Sequence, residues 1–367
     1  MLVLIENDSI DQSRRQFNLD GLMASQPNNI LTLLVLVTPN FNMAATVGFI
    51  DPFRAANYLE GKARFHWQIA SLHGGPCTAS NGMTIDTIAL AEVQEGRKDF
   101  VIVSSSWAPE AYNSTPLHTS LWRWAGQGST LGGLDTGAFI LAEAGLLKGR
   151  RATVHYEHID AMKELYPNVE VSEELFVFDK ARITCCGGAA ALDFALHIIK
   201  GTKGDALANA AARYVFHQTV RPQGAMQSPG LAEPMGQLAP TAVKRAIALM
   251  EQNLETPLSI PEICDSINLS QRQLNRLFAR HVKKTPTMYY RDIRLDRARG
   301  LVTQTDMSLL EVSVASGFAS QVHFSRAYRE RFGLSPRNDR VEGRVPFEFR
   351  AWPMHRKTDR RVANKVK

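Results

Sequence analysis

The sequence predicts two domains. An α/β domain on a doubly wound, mostly parallel sheet comes first, and an all-α domain with two similar helical units follows. Three observations predict this. Through about residue 200, strand-like apolar runs alternate with helix-periodic segments, the pattern of a parallel sheet covered by helices on both faces. The stretch "RPQGAMQSPGLAEPMGQLAP" at 221–240 then breaks all periodicity with Pro, Gly and small residues. Beyond it, two stretches repeat each other at an offset of 50 residues. A chain of 367 residues is long enough to bury two cores.

The elements follow in order. Residues 1–28 are polar and aperiodic and read as a mobile arm. "ILTLLVLVT" (30–38) is a buried strand, and 42–59 has helical spacing. "FHWQIASL" (65–72) and "DFVIVSS" (99–105) are further strands. "STLGGL" (129–134) leads through a glycine-flanked turn into a helix at 137–147 that ends at Gly149. "RATVHY" (151–156) is a short strand before a helix at 157–166. "FVFDKARITCCGG" (176–188) reads as a hairpin feeding a helix at 189–200. The front domain is thus placed at 29–220, a linker at 221–240 and a helical domain at 241–337. A basic, poorly patterned tail fills 338–367.

Composition narrows the function. The longest mainly apolar run, 30–37, is far too short to span a bilayer. The N-terminus lacks the basic-then-apolar order of a signal peptide, so a cytoplasmic protein with no membrane partner is expected. Cys77, Cys185, Cys186 and Cys264 have no CxxC spacing and no clustered histidines beside them. Buried reduced thiols are expected, with no disulfide framework, no metal and no cofactor. Charge is uneven. Residues 241–367 carry 24 Lys+Arg against 13 Asp+Glu, a net of +11, while residues 1–240 carry a net of −5. Only the C-terminal third is suited to a polyanion.

The repeat supplies the chemistry. "IPEICDSINLSQRQLNRLFARHVKKTP" (260–286) aligns with "LEVSVASGFASQVHFSRAYRERFGLSP" (310–336), matching Ser270 to Ser320, Gln271 to Gln321, Arg276 to Arg326 and Pro286 to Pro336. Each unit has a short helix, a turn at Asn268 or near Gly317, a Ser suited to N-capping, and a second helix. This is the helix-turn-helix pattern, whose second helix reads base edges in the major groove. Leu274, Leu277 and Phe278 face the first unit's core. Gln271, Arg272, Gln273, Asn275 and Arg276 face outward after Ser270. Arg suits guanine, and Gln or Asn suits adenine, because each presents a bidentate pair. In the second unit Phe324, Ala327 and Tyr328 face inward, leaving Gln321, Val322, Ser325 and Arg326 outward after Ser320. His323 either touches a phosphate or packs at the rim. One long helix over 286–302 would hold the reading heads roughly 34 Å apart, one DNA turn.

"GFASQVHFSRAYRERFGLSP" and "RLDRARGLV" resemble the C-terminal signature and linking helix of the AraC/XylS regulators. That resemblance covers about 241–337. It implies promoter DNA as partner and activation through RNA polymerase. Residues 30–200 resemble the class I glutamine amidotransferase-like, PfpI-like domain, a flavodoxin-like fold, in the version fused to AraC-type readers, the GlxA-type regulators. "DPFRAANYL" and "GAFILAEAGLLKGRRATVHYEH" carry that resemblance. It implies effectors among betaine, carnitine and amino acids; a ligand-sensing domain in a homodimer is expected, the alternative being a regulator whose front domain only dimerises.

In the enzymes of that fold a Cys occupies the strand-to-helix elbow. Here Asp135 stands there, and no Ser or Cys lies between Thr130 and Gly149. A hydrolase reading therefore lacks its nucleophile, although an Asp can attack in principle. What remains is a concave site at the carboxyl ends of parallel strands. Its expected lining is Asn40, Phe41 and Asn42 after the first strand, Trp107, Asp135 and Thr136 at the elbow, and His155, Tyr156 and Glu157. Aromatic faces beside carboxylates suit a cationic, even quaternary, amine. The alternatives are structural: Asp135 or Thr136 caps the following helix, Trp107 and Tyr156 pack, and Glu157 favours a helix N-terminus.

Overall fold

The structure, a computed structural model, describes residues 30–107, 109–227 and 240–342. The arm predicted at 1–28, most of the predicted linker and most of the basic tail lie outside them.

The first unit contains β1 (Leu31–Val37), α1 (Met43–Glu60), β2 (Phe65–Ser71), β3 (Gly75–Thr78), β4 (Thr84–Ala89), β5 (Phe100–Ser105), α2 (Thr115–Gly126), β6 (Thr130–Asp135) and α3 (Gly137–Glu143). It continues with β7 (Arg151–Thr153), α4 (Ile159–Leu165), β8 (Glu170–Ser172), β9 (Phe176–Asp179), β10 (Arg182–Cys185), α5 (Ala190–Lys203) and α6 (Asp205–Tyr214). The main sheet runs β3-β4-β2-β1-β5-β6-β10-β9. Its inner strands are parallel, and each edge is an antiparallel hairpin. Alternation along β1 explains why the sheet is covered twice. Leu31, Leu33, Val35 and Val37 join a core with residues of α1, α5 and α6, while Leu34 and Leu36 join one with residues of α2, α3 and α4. The chain steps from β1 to β2 on one side and returns to β5 on the other. The topological switch therefore lies at the carboxyl ends of β1 and β5, where such sheets bind ligands.

The second unit contains α7 (Thr241–Gln252), α8 (Ile260–Ser266), α9 (Gln271–His281), α10 (Pro286–Gln304), α11 (Leu309–Ala315), α12 (Gln321–Phe332) and α13 (Pro336–Glu342). α10 is shared by two small cores. Tyr290 and Ile293 pack with Leu274 and Phe278, and Leu295, Ala298, Leu301 and Val302 pack with Phe324 and Tyr328. Its 19 residues span roughly 28 Å at helical rise.

Several expectations change. The strand expected at 151–156 is only β7, which pairs with β8 outside the main sheet. The linker begins later than 221. Arg221 holds Asp193, whose side chain is fully buried, at 2.6 Å, and the Gln227 amide donates to the Val154 carbonyl. The helical domain runs past 337. Asp339 is fully buried, accepting from Arg299 at 2.9 Å and from the Tyr328 hydroxyl at 2.8 Å.

Candidate functional sites

The elbow forms at the end of β6. Asp135 adopts a left-handed backbone with φ 56, the strained turn that brings a side chain to the top of a sheet. Two glycines make room for it. A Cβ on Gly137 would drive into the Val103 carbonyl oxygen, and one on Gly187 would lie 2.9 Å from the Asp135 Cβ. Asp135 is 3% exposed. Its Oδ2 accepts from Asn42 Nδ2 at 2.8 Å, while Asn42 Oδ1 caps α1 by accepting from the Ala45 amide. Burial pushes the Asp135 carboxyl above the usual carboxylate range. His155 and hydrogen bonds from Asn42 and Ser106 pull it partly back. Thr136 is buried, and its hydroxyl donates to the Ser106 carbonyl at 2.6 Å. Neither residue caps α3 through its side chain: Thr136 holds the N-cap position without a side-chain bond.

Of the residues expected to line this site, Asn42, Asp135 and His155 come together. Trp107 is half-buried in the loop that supplies the Ser106 carbonyl. Phe41 is a correction. It is fully buried in the apolar core beneath α1 and supports the loop from below. Asn40 turns away from the elbow and donates to the Tyr112 hydroxyl at 3.1 Å.

His155, Tyr156 and Glu157 sit where the first unit meets α10. The His155 and Tyr156 rings meet at a tilt of 37° with centroids 4.5 Å apart, and Tyr156 is 56% exposed. A Cβ on Gly300 of α10 would lie only 3.2 Å from the Glu157 carbonyl oxygen. Arg297 faces Asp160 at 3.9 Å, and Asp296 lies close enough to help raise Tyr156. Sequence reasoning missed Arg297 and Gly300, because a glycine inside a helix has no pattern that names its neighbour. His155, Glu157 and His158 offer donor atoms within 4.8 Å of one another, a set able to hold a metal ion.

The second site is the pair of reading heads. Ser270 caps α9 in a reciprocal capping box: its hydroxyl accepts from the Gln273 amide, and Gln273 Oε1 accepts from the Ser270 amide at 2.9 Å. Gln273 is exposed, and its Oε1 is engaged in the cap. Gln271, Arg272, Asn275 and Arg276 are exposed as expected. Ser320 caps α12, and Gln321, Val322, His323 and Arg326 are exposed, Val322 to 75%. Ser325 is half-buried, and Arg326 leans on Glu330 at 3.3 Å. The turns use Asn268 at φ 56 and Gly317 at φ 70. Arg294 stacks on Phe318 at 4.3 Å and donates to the Ser316 carbonyl, fixing the second turn to α10.

A doubly wound domain with a carboxylate at its strand-to-helix elbow, joined to two capped helix-turn-helix units, defines a DNA-binding regulator with a separate α/β front domain. Comparison with known proteins agrees. The helix-turn-helix domain family matches residues 263–341, and the DJ-1/PfpI family matches residues 33–201. The chain is 40% identical over 307 residues to the HTH-type transcriptional regulator CdhR of Pseudomonas aeruginosa, covering 83% of this chain and 90% of that one. It is 36% identical to GbdR of the same species, over 86% of this chain and 85% of that one. It is 31% identical to GlxA of Rhizobium meliloti, over 85% and 96%. The chain belongs to the AraC-type transcription regulators with a DJ-1/PfpI-like front domain, the GlxA-type group. No helix among the described residues is long and apolar enough to cross a membrane.

Proposed function

We propose that the protein is a cytoplasmic, ligand-responsive activator acting as a homodimer on promoter DNA and RNA polymerase. Its effector is a small nitrogen metabolite: betaine, carnitine, a methylated amine or an amino acid. The observation that carries this reading is the buried carboxylate of Asp135 at the elbow, where catalysis would need a nucleophile. The neighbouring Cys185 thiol does not substitute, because burial pushes it well above its usual range and keeps it from the reactive thiolate form. A cation entering beside Asn42 and His155 meets Asp135, and the His155–Tyr156 pair offers an aromatic face. The same short segment, 155–160, touches α10, which spaces the two reading heads. Ligand occupancy and head spacing thereby share one contact surface.

The test is a thermal-shift comparison of the full chain with glycine betaine, carnitine, choline and arginine, since a ligand of the native state raises its stability. At least one should raise the melting temperature of the wild type and fail with Asp135→Asn. An amine that binds should lose about 1–3 kcal/mol with that substitution. Equal responses contradict the assignment, and turnover of an amide or aldehyde would favour an enzyme.

A further inference from the structure

The structure assigns a second small-molecule site, for an uncharged ligand with an apolar body and one hydrogen-bond acceptor, in the cavity between the carboxyl ends of β1, β2 and β5 and the start of α2. The cavity holds about 250 Å³. Its walls are mostly apolar, with Leu36, Leu72, Val103 and Leu117 among them, and no Asp, Glu, Lys or Arg lines it. With His73 and Asn113 as its other polar side chains besides the hydroxyls, the lining offers no carboxylate to the cation proposed for the elbow and favours a neutral molecule. An apolar cavity of about 150 Å³ accepts benzene, so this one accommodates on the order of ten heavy atoms.

Two hydroxyls give the ligand its polar contact. Ser114 lines the cavity and stands at the N-cap position of α2, yet makes no capping bond, and its buried Oγ has no partner. A buried hydroxyl without a partner is costly, and a turn of the Ser114 side chain toward the cavity would let a ligand carbonyl relieve it. The Tyr112 hydroxyl accepts from Asn40, which leaves its own proton to donate. The cavity also lies beside the switch point between β1 and β5, where open α/β sheets take ligands. The other lining hydroxyls are engaged within the protein, Thr38 with Ser105 and Ser71 with Thr87. The loop at 38–42 separates this cavity from the elbow. Asn40 faces Tyr112, and Asn42 faces Asp135. The two sites thus share a wall without sharing a ligand.

The probe is N-methylbenzamide, neutral and about ten heavy atoms, followed by saturation-transfer NMR on the full chain. Binding at roughly millimolar affinity is expected. Leu72→Trp, which fills the cavity, should abolish it. Ala111→Trp, at an exposed lining position, serves the same purpose if the first variant fails to fold. Ser114→Ala should weaken binding at least threefold. Asp135→Asn should leave it unchanged, which separates this site from the elbow. No saturation transfer to wild type, or equal transfer to the filled variant, overturns the assignment. A tetramethylammonium titration of the same variants reports on the elbow independently: loss with Asp135→Asn and retention with Leu72→Trp would leave that reading standing whatever the amide does.

Discussion

The elbow at Asp135 and the first turn of α9 are assembled from similar parts and face opposite ways. Each is a tight turn feeding a helix, with a polar side chain at the junction. At the elbow the polar group points inward, is 3% exposed and is held by Asn42. At α9 the cap closes on itself through Ser270 and Gln273, and Arg272, Asn275 and Arg276 remain exposed beyond it. Burial is therefore what distinguishes the proposed receptor site from the exposed face of α9. A buried carboxylate is sensitive to one neighbouring charge, because the surrounding medium screens it poorly. Exposed side chains keep little interaction with their own fold and retain it for DNA. Inward polar groups should govern stability and pH response, while outward ones should govern DNA affinity.

The largest expected effect falls on an inward group of the DNA-binding domain. Asp339→Ala removes a fully buried carboxylate that accepts from Arg299 and Tyr328. It should destabilise that domain by about 2–4 kcal/mol, less than the full penalty for a broken buried pair because Arg299 is partly exposed. Denaturant unfolding followed by circular dichroism measures it. A change below about 0.5 kcal/mol would mean that α13 is not part of the domain.

Next come the outward arginines. Arg276→Ala should cost about 1–3 kcal/mol at a preferred operator while leaving the melting temperature unchanged. Arg326→Ala should cost less, because Arg326 already leans on Glu330. Gel-shift titrations on specific and scrambled duplexes separate base from phosphate contacts. An equal loss on both duplexes would make Arg276 a phosphate ligand.

The elbow should show itself through pH. The folded-state pKa of Asp135 is raised by burial, so folding favours the protonated carboxyl. Its contribution to stability is full below the unfolded pKa and is lost as pH rises through the raised folded value. Asp135→Asn should remove this slope and raise the melting temperature at neutral pH. Binding of a cationic effector should strengthen over the same rise in pH, since the carboxylate is the form that attracts it. A pH profile identical in both proteins would show that Asp135 does not titrate differently on folding.

The smallest effect sharpens the comparison within α9. Gln273→Ala should cost about 0.5–1 kcal/mol of stability through the lost capping box and leave base preference intact. A selective loss at one operator position would place Gln273 in the reading set.

Much of this architecture was legible in the sequence, and what was not has physical causes. β1 and β5 are buried on both faces and read as mainly apolar runs, while β6, equally buried, is marked by its glycines before the turn. The β3–β4 hairpin escaped notice because it is an edge of mixed, partly exposed residues such as "GPCT" and "TIDTIA". Asp135 was legible because glycines bracket it at a strand-to-helix junction. Phe41 was misassigned because loop position does not reveal which way a ring packs. The capping role of Gln273 is hidden because its outward helical position is shared by a cap and a base reader. Tyr112 and Ser114 were invisible because their cavity is assembled from strand ends far apart in sequence. The contact between segment 155–160 and α10 is likewise long-range, and no local pattern encodes it.

The central claim is that the elbow and the reading heads communicate through that contact. Its most direct test is hydrogen–deuterium exchange of the full chain, with and without the amine that raises its melting temperature, comparing segments 155–160 and 286–304. The amine is expected to change exchange in both segments together, and Gly300→Leu, which crowds the Glu157 carbonyl, to confine the change to 155–160. A wild-type response in 155–160 with α10 unaltered would contradict the claim.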